Sequence, residues 1–210
     1  RRPATVSLDG IDHADGLRGR VLFIGFGRFA QVASQALLAR RVALSLIEND
    51  VDMIRAAANF GFKVHYGDGT RLDVLRASGA DSAEAILVCV DDPDAADRIV
   101  ELCQSAFPTA RLYVRAFDRG HALRLNKAGV HFEIRETLES ALVFSQAVLT
   151  GLGLDNAQAR DVIHDVRERD KERVELELIG GLEAGRKMLR GNVETPEPAP
   201  FFKARPTSSE

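Results

Sequence analysis

The sequence has little of what marks secreted, membrane-spanning or nucleic-acid-binding proteins. Two cysteines in 210 residues are too few for a disulfide framework, and the apolar patterns around Cys89 and Cys103 predict reduced core thiols in a cytosolic chain. The most apolar runs, 21–26 and 85–90, are strand-length, whereas a membrane-spanning helix needs about 20 apolar residues. A formal net charge of -3 leaves no basic footprint for nucleic acid.

The composition predicts a globular centre between two irregular ends. Hydrophobic residues make up 45% of the chain and charged residues 28%, which argues against a wholly disordered protein. Residues 1–19 have no sustained period and are expected to form a linker, and the proline-rich residues 191–210 are expected to form a flexible tail. The sequence begins with Arg1 and has no signal peptide, so we expect a piece of a longer protein.

From Arg20 onward, short apolar runs alternate with helical patterns. This rhythm is typical of βαβ units and predicts an α/β fold, a doubly wound Rossmann-like parallel sheet with a C-terminal helical extension. We expect the sheet domain at 20–134 and the helical extension at 135–190. The five predicted strands are 20–24, 42–47, 63–66, 85–90 and 112–115.

The predicted helices follow an apolar period of 3.6 residues and begin at capping residues. Asp92 followed by Pro93 predicts a helix start, because a carboxylate accepts hydrogen bonds from unpaired amides and proline suits the first helical position. The predicted helices are 27–40, 50–59, 71–78, 92–106, 119–128, 136–149 and 155–180, with a shorter segment to residue 190.

Two interpretations stay open for each of the last long helices. In 136–149 the apolar residues form either a core face or a dimer face; they are Leu138, Leu142, Val143 and Val148. In 155–178 charged residues outnumber apolar ones, which favours a solvated helix and leaves an arm onto a second subunit as the alternative.

The strongest local signal is a glycine-rich turn directly after the first apolar run. It reads G-x-G-x-x-A and comprises Gly25, Phe26, Gly27, Arg28, Phe29 and Ala30. Gly25 permits the tight turn, Gly27 lets a phosphate approach the backbone, and Ala30 lets the helix pack on the strand. The helix that follows offers unpaired amides and a partial positive charge to the phosphate.

Glu48 is the second element of this predicted nucleotide site. It ends the second predicted strand about 20 residues after Gly25, the spacing expected for an acid that binds ribose hydroxyls. Its charge repels a 2′-phosphate, which favours NAD or an adenosine phosphate over NADP. The alternative is a solvent-facing residue at a strand end. Asn49 and Asp50 follow as ligand or capping candidates, and capping is favoured for Asp50.

A polar turn follows the third predicted strand, at the sheet edge where an adenine should lie. Ligands of open α/β sheets bind outside the carboxyl ends of the strands. We therefore expect this turn, with Asp68, Gly69 and Thr70, to face the same crevice as Asp91 and Asp92. Asp68 is equally consistent with an ordinary turn or capping residue.

These motifs together resemble the regulatory nucleotide-binding domains of potassium transport systems, the RCK/KTN or TrkA-N domains. The resemblance is strongest to the cytosolic domain of the Kef glutathione-gated potassium efflux antiporters, and it covers the sequence from about residue 20 to about residue 165. The runs that carry it are GFGRFA (25–30), LIEND (46–50), HYGDGT (65–70), CVDDPDAA (89–96), YVRAFD (113–118) and IRETLESA (134–141).

The resemblance implies a dimeric gating module at the cytoplasmic face of the bacterial inner membrane, in which no bond is made or broken. It implies AMP or NAD(H) as the nucleotide, a covalently linked transmembrane antiporter domain upstream, and an ancillary flavoprotein subunit as a candidate partner. Implied nucleotide contacts are Gly25, Phe26, Gly27, Arg28, Phe29, Glu48, Asp68, Thr70, Asp91 and Arg115. The family usually has aspartate at this position, and Glu48 keeps the negative charge.

The resemblance also implies glutathione or its conjugates as a regulatory ligand. A peptide with two carboxylates suits guanidinium groups, and Arg28 and Arg135 match the family's ligand-binding arginines. Alternatives are a solvated helix start for Arg28 and an ion pair with Glu139 for Arg135. The family's asparagine in the following helix aligns with about Asp170, whose carboxylate would repel the ligand.

Other chemistry has little support in the sequence. The five histidines have no metal-ligand spacing, and no nucleophile motif is present, so we expect neither a metal site nor catalytic residues. Two other functions remain as alternatives: an NAD-dependent oxidoreductase domain, and a detached nucleotide-sensing subunit of a potassium uptake system.

Overall fold

The computed structural model describes residues 20–60 and 62–181. The chain divides into two compact units, Arg1–Glu136 and Thr137–Glu210. The expected linker at 1–19, the short segment at 182–190 and the tail at 191–210 lie outside the described residues.

The first unit alternates strands and helices. Its strands are β1 (Arg20–Ile24), β2 (Ala43–Glu48), β3 (Lys63–Tyr66), β4 (Ala85–Val88), β5 (Arg111–Ala116) and β6 (Phe132–Arg135). Its helices are α1 (Arg28–Ala39), α2 (Val51–Ala58), α3 (Leu72–Ala77), α4 (Pro93–Ala106) and α5 (Arg119–Ala128), with a 3₁₀ turn at Ala80–Ser82. The next helix, α6 (Glu136–Gly151), begins on the last residue of this unit, and α7 (Asn156–Gly180) follows it.

The six strands form one parallel sheet in the order β3-β2-β1-β4-β5-β6. The order runs outward in both directions from β1 and β4, so the expected doubly wound, Rossmann-like fold is confirmed. Because the strand order changes direction between β1 and β4, a crevice opens at the carboxyl ends of these two strands, where ligands of such sheets bind. β3 lies at the edge of the sheet, as expected.

The prediction of five strands is wrong by one. β6 pairs with β5 through Tyr113↔Phe132 and Arg115↔Ile134, and among the described strands none pairs with its other side. Its sequence, FEIR, has no continuous apolar run, and Phe132 is 52% exposed. An edge strand of this length lacks the burial pattern that identifies a strand from sequence. The fourth strand also ends at Val88, two residues earlier than expected.

Two apolar clusters hold the helices against the sheet. One includes Leu22, Ile86 and Ile99, and the other is built around Phe23, Phe26 and Phe62. The ring centroids of Phe26 and Phe62 are 5.0 Å apart in an edge-to-face arrangement. Each cluster contains one of the two free cysteines, and both thiols are buried, as expected.

The second unit is helical. Arg167 on α7 lies 3.0 Å from Glu139 on α6, an ion pair between two half-exposed side chains. On α6, Leu142 is buried, whereas Val143 is 67% and Phe144 71% exposed. Among the residues that the structure describes, none of the helices combines the length and the hydropathy needed to cross a membrane.

Candidate functional site

The turn after β1 requires glycine at its first position. Gly25 has a φ of +88°, and a Cβ there would stand 3.0 Å from the backbone nitrogen of Val90 and 3.1 Å from the carbonyl carbon of Cys89. Its N–H donates to the carbonyl oxygen of Ile47 at 3.0 Å. The turn is therefore held between the ends of β2 and β4, as the predicted fingerprint requires.

The turn's second glycine, Gly27, leaves the start of α1 open. Gly27 is the N-cap of α1 with extended backbone, and no side chain caps the amides of the first turn. A Cβ at Gly27 would meet nothing nearer than the Asp91 carboxylate at 4.0 Å. The N-terminal amides of α2, α4, α5 and α7, by contrast, each receive an aspartate side chain. The uncapped amides of α1 are thus available to an anion.

Glu48, the last residue of β2, is held by three backbone amides. Its Oε2 accepts from Phe26 N–H at 2.8 Å, and its Oε1 accepts from Asn49 N–H at 2.8 Å and Asp50 N–H at 2.9 Å. A carboxylate offers about four lone-pair sites, so one remains on Oε2 for a ligand. The half-buried carboxylate is therefore not the merely solvent-facing residue of the alternative interpretation.

The two residues after Glu48 have different roles, and Asp50 has the capping role that the sequence favours. Asp50 caps α2, its Oδ1 accepting from Asp52 N–H at 2.8 Å and Met53 N–H at 3.2 Å. Asn49 lies in the crevice lining, and its N–H is taken by the neighbouring Glu48 carboxylate.

The turn after β3 is organised by Asp68. Its Oδ1 accepts from the backbone N–H of Thr70 at 2.8 Å and from the Thr70 hydroxyl at 2.7 Å. These two hydrogen bonds hold the pKa of Asp68 below its usual range, because they favour the charged form. The Cα of Gly69 lies so close to the side chain of Ile24 that a Cβ would overlap it, so the turn packs against the end of β1.

The crevice between these turns has a volume of about 600 Å³. The predicted site residues that line it are Gly25, Phe26, Gly27, Arg28, Glu48, Asn49, Asp68, Gly69, Thr70, Asp91 and Asp92. Sequence reasoning missed Gln31 and Met53, which also line it. Gln31 Nε2 donates to the carbonyl oxygen of Phe26 at 3.1 Å. Gln31 lies in the first turn of α1, four residues after Gly27 and on the same helix face. This spacing is the sequence signal that could have identified it as a lining residue.

Three predicted contacts lie outside this lining. Ala30 is fully buried beneath the turn, which is the packing role that its small size predicts. Phe29 and Arg115 line a second, apolar cavity of about 390 Å³ on the sheet face. Arg115 Nη1 nevertheless lies 2.6 Å from Oδ1 of Asp91, at the rim of the crevice.

The two arginines predicted for a peptide ligand sit on different elements. Arg28 is the first residue of α1 and lines the crevice, and Arg135 is the last residue of β6. Glu139, the suggested partner of Arg135, pairs with Arg167. Asp170 lies on α7 in the second unit.

The thiol of Cys89, at the base of the crevice, has low reactivity. Burial raises the pKa of Cys89 to about 12, although the nearby Arg115 guanidinium lowers it. A thiol of that pKa has little thiolate at neutral pH and is a poor nucleophile. Among residues 20–60 and 62–181, no group of three or more His, Cys, Asp or Glu side chains is placed to hold a metal ion.

A family model described as the TrkA-N domain matches residues 21–136, more than half of the chain. The chain belongs to the TrkA-N domain family. The expected resemblance is confirmed, and the matched region spans β1 to the first residue of α6.

This TrkA-N domain is similar to proteins of potassium efflux systems. A glutathione-regulated potassium-efflux system protein of Haemophilus influenzae is 42% identical over 179 residues, which cover 83% of this chain and 29% of that protein. The chain thus spans less than a third of the length of this relative. The Kef C-terminal domain of Shewanella denitrificans in its AMP-bound form is 33% identical, with a TM-score of 0.66 over 74% of this chain and 96% of that one.

A more distant solved structure shares the fold. The GsuK channel bound to NAD is 19% identical, with a TM-score of 0.55 over 62% of this chain and 24% of that one. The similarity extends the same sheet architecture to a channel.

Proposed function

We propose that this chain is the nucleotide-binding regulatory module of a potassium:proton efflux antiporter, acting at the cytoplasmic face of the membrane with the antiporter domain joined upstream. It makes and breaks no bonds. Binding of an adenine nucleotide, AMP or NAD(H), favours one arrangement of the module over another, and that preference is passed to the transport domain. The 42% identity to a potassium-efflux system protein supports this assignment.

The observation that carries the proposal is the N-terminus of α1, whose amides are not capped by a side chain. A phosphate there meets uncapped amides and the positive end of the helix, with no Cβ in its path. The crevice volume of about 600 Å³ suits an adenine nucleotide, and the AMP-bound state of the 33% identical Kef domain supports AMP as occupant.

The ribose end of the nucleotide is assigned to Glu48. Its remaining lone-pair site on Oε2 accepts one ribose hydroxyl, and its charge disfavours a 2′-phosphate. The turn of Asp68 and Thr70, at the edge beyond β2, borders the adenine. AMP and NAD(H) are therefore favoured over NADP(H).

Calorimetric titration of the 210-residue chain with AMP, NADH and NADPH tests this proposal. We expect saturable binding of AMP or NADH, and binding of NADPH weaker by about tenfold or more, the equivalent of one repelled charge. No binding of any adenine nucleotide, or turnover of NADH with common hydride acceptors, would contradict the regulatory assignment.

We further propose that the module is a homodimer formed through α6. Phe144, Val148 and Leu152 recur at i, i+4 and i+8 on this helix and its end, and their exposed fractions are 71%, 44% and 80%. Aligned apolar side chains with this exposure gain free energy when a second copy covers them. The homodimer also accounts for the dimer-face interpretation of Val143 and Val148.

Light scattering of the Phe144→Glu variant tests the dimer. We expect the variant to be a monomer where the parent chain is a dimer. Ser145→Glu, which adds the same charge to an exposed neighbouring position on α6, is the matched control and should remain dimeric. A parent chain that is monomeric at all concentrations would refute the proposal.

Glutathione or its conjugates are proposed as the second, regulatory ligand, bound through Arg28 and Arg135. Two guanidinium groups suit the two carboxylates of the peptide. Titration of Arg28→Ala and Arg135→Ala with glutathione should show at least a tenfold loss of affinity for each, the effect of removing one charge-assisted pair. Arg55→Ala, which removes an exposed arginine paired with Asp52, is the control. Unchanged affinity in both variants would refute the assignment of Arg28 and Arg135 to the glutathione site, and the absence of glutathione binding to the parent chain would remove this ligand from the proposal; the nucleotide site would stand in either case. The ancillary flavoprotein remains a proposed partner of the assembled antiporter.

A further inference from the structure

Arg115 lies between two carboxylates that face different parts of the first unit. Its Nη1 is 2.6 Å from Oδ1 of Asp91, and its Nε is 3.1 Å from Oε2 of Glu136. Asp91 is at the rim of the nucleotide crevice, and Glu136 is the first residue of α6. One arginine side chain, 14% exposed, therefore joins the crevice to the start of the helix that leads into the second unit.

The acidic partner at the crevice is exposed and placed beside the phosphate position. The Asp91 side chain is 83% exposed, and both of its oxygens stand 4.0 Å from where a Cβ on Gly27 would be. An anion on the uncapped amides of α1 would thus be close enough for direct repulsion by Asp91. Arg115 is the cation that offsets this repulsion, because its Nη1 contacts the same carboxylate.

The competition for Arg115 has a defined direction. A guanidinium carries five N–H donors in a rigid plane, and the contacts to Asp91 and Glu136 involve Nη1 and Nε. A phosphate on the glycine turn adds negative charge on the Asp91 side of this plane. The guanidinium is then attracted toward the crevice and away from Glu136.

We propose that Arg115 couples nucleotide binding to the first turn of α6. When a phosphate binds, the Arg115 guanidinium shifts toward the crevice and its contact with Glu136 weakens. This inference rests on the proposed nucleotide site. Glu136 and Asp91 are positioning residues that set where the guanidinium lies. Because the coupling is reciprocal, the contact of Glu136 with Arg115 opposes nucleotide binding as much as the nucleotide weakens that contact.

The direction in which one substitution changes AMP affinity distinguishes this coupling from a purely structural role. Glu136→Gln keeps the side-chain size and removes the charge that draws Arg115 away from the crevice. We expect AMP to bind this variant about fivefold or more tightly than the parent, the lower end of typical coupling. A purely structural contact would leave AMP affinity unchanged or lower it.

Two further variants complete the measurement. Glu139→Gln makes the same change one turn along α6, at a carboxylate that pairs with Arg167, and should leave AMP affinity within about twofold. In an Arg115→Gln background, Glu136→Gln should have no effect on AMP affinity, because the residue through which it acts is absent. Glu136→Asp, which withdraws the carboxylate by one methylene, should shift the affinity in the same direction as Glu136→Gln.

Hydrogen exchange of the peptide that covers residues 136–145 supplies a second readout. In the parent chain AMP should speed exchange of this peptide, and in Glu136→Gln it should leave the exchange rate unchanged. If the parent binds AMP but Glu136→Gln binds it equally or more weakly, the coupling is refuted and the nucleotide site stands. If the parent binds no AMP, the proposed function itself fails.

Discussion

The backbone N–H of Phe26 donates a 2.8 Å hydrogen bond to Oε2 of Glu48, 22 positions along the chain. The bond joins the glycine turn after β1 to the end of β2. The residue proposed to bind the ribose therefore also holds in shape the turn that is proposed to bind the phosphate.

Glu48→Gln should destabilise the fold as well as the site. The amide has one oxygen where the carboxylate has two, so one side of it would present N–H groups to the N–H of Phe26 or to those of Asn49 and Asp50. We expect a loss of about 1–3 kcal/mol in the free energy of unfolding, measured in urea. Glu101→Gln, at an exposed ion pair on α4, is the control and should cost less than about 0.5 kcal/mol. Equal stability of both variants would mean that the three amides do not depend on the charge.

The two glycines of the turn should separate binding from folding. Gly27→Ala meets no atom nearer than 4.0 Å, so it should cost only about 0.5–1 kcal/mol of stability as a poorer N-cap. Its methyl group nevertheless blocks the approach of a phosphate, and AMP affinity should fall by about tenfold or more in calorimetry. Gly25→Ala, strained at a φ of +88°, should lose about 1–3 kcal/mol of stability together with binding. AMP binding to Gly27→Ala with parental affinity would place the phosphate elsewhere.

Gly69→Ala should destabilise through a steric clash alone. A Cβ there would overlap the side chain of Ile24 at the end of β1, in a cluster with little room to adjust. We expect a loss of about 1–3 kcal/mol in urea unfolding. Gly151→Ala, in open space at the last residue of α6, is the matched control and should raise stability by about 0.5–1 kcal/mol. A neutral Gly69→Ala would show that Ile24 can move aside.

Acidification should destabilise the protein through His121. This side chain is 1% exposed, its Nδ1 accepts from Phe117 N–H at 3.0 Å, and its Nε2 lies 3.0 Å from Asp97. Burial lowers the pKa of His121 below 6.5, although the Asp97 carboxylate raises it, so the unfolded chain binds the proton first. The stability from neutral His121 is complete above about pH 6.5 and is lost as the pH falls below it.

Urea unfolding between pH 7.5 and pH 5 measures this effect. The decline of stability over that interval should be shallower in His121→Gln than in the parent chain. His164→Gln, at an exposed histidine on α7, should keep the parental decline. Parallel curves for the parent and His121→Gln would show that the histidine is not protonated on unfolding.

The sequence by itself determined the features that depend on neighbouring residues. The turn at Gly25 and Gly27 and the helix starts at Asp50, Asp92 and Asp155 are interactions of a side chain, or of its absence, with backbone a few residues away. Local hydrogen bonds of this kind leave a readable pattern, and so does the alternation of apolar runs and helices. The doubly wound sheet and most of the crevice lining followed from these patterns.

Only the tertiary structure decided which distant groups meet. β6 is a strand because β5 supplies its partner, and its own four residues carry too little apolar pattern to predict it. Arg115 reaches Asp91 and Glu136 across 24 and 21 positions, and Glu48 reaches Phe26 across 22, so no local period marks these contacts. Long-range pairing follows from the packing of the whole sheet, because each contact depends on the register and twist of strands that are far apart in the chain.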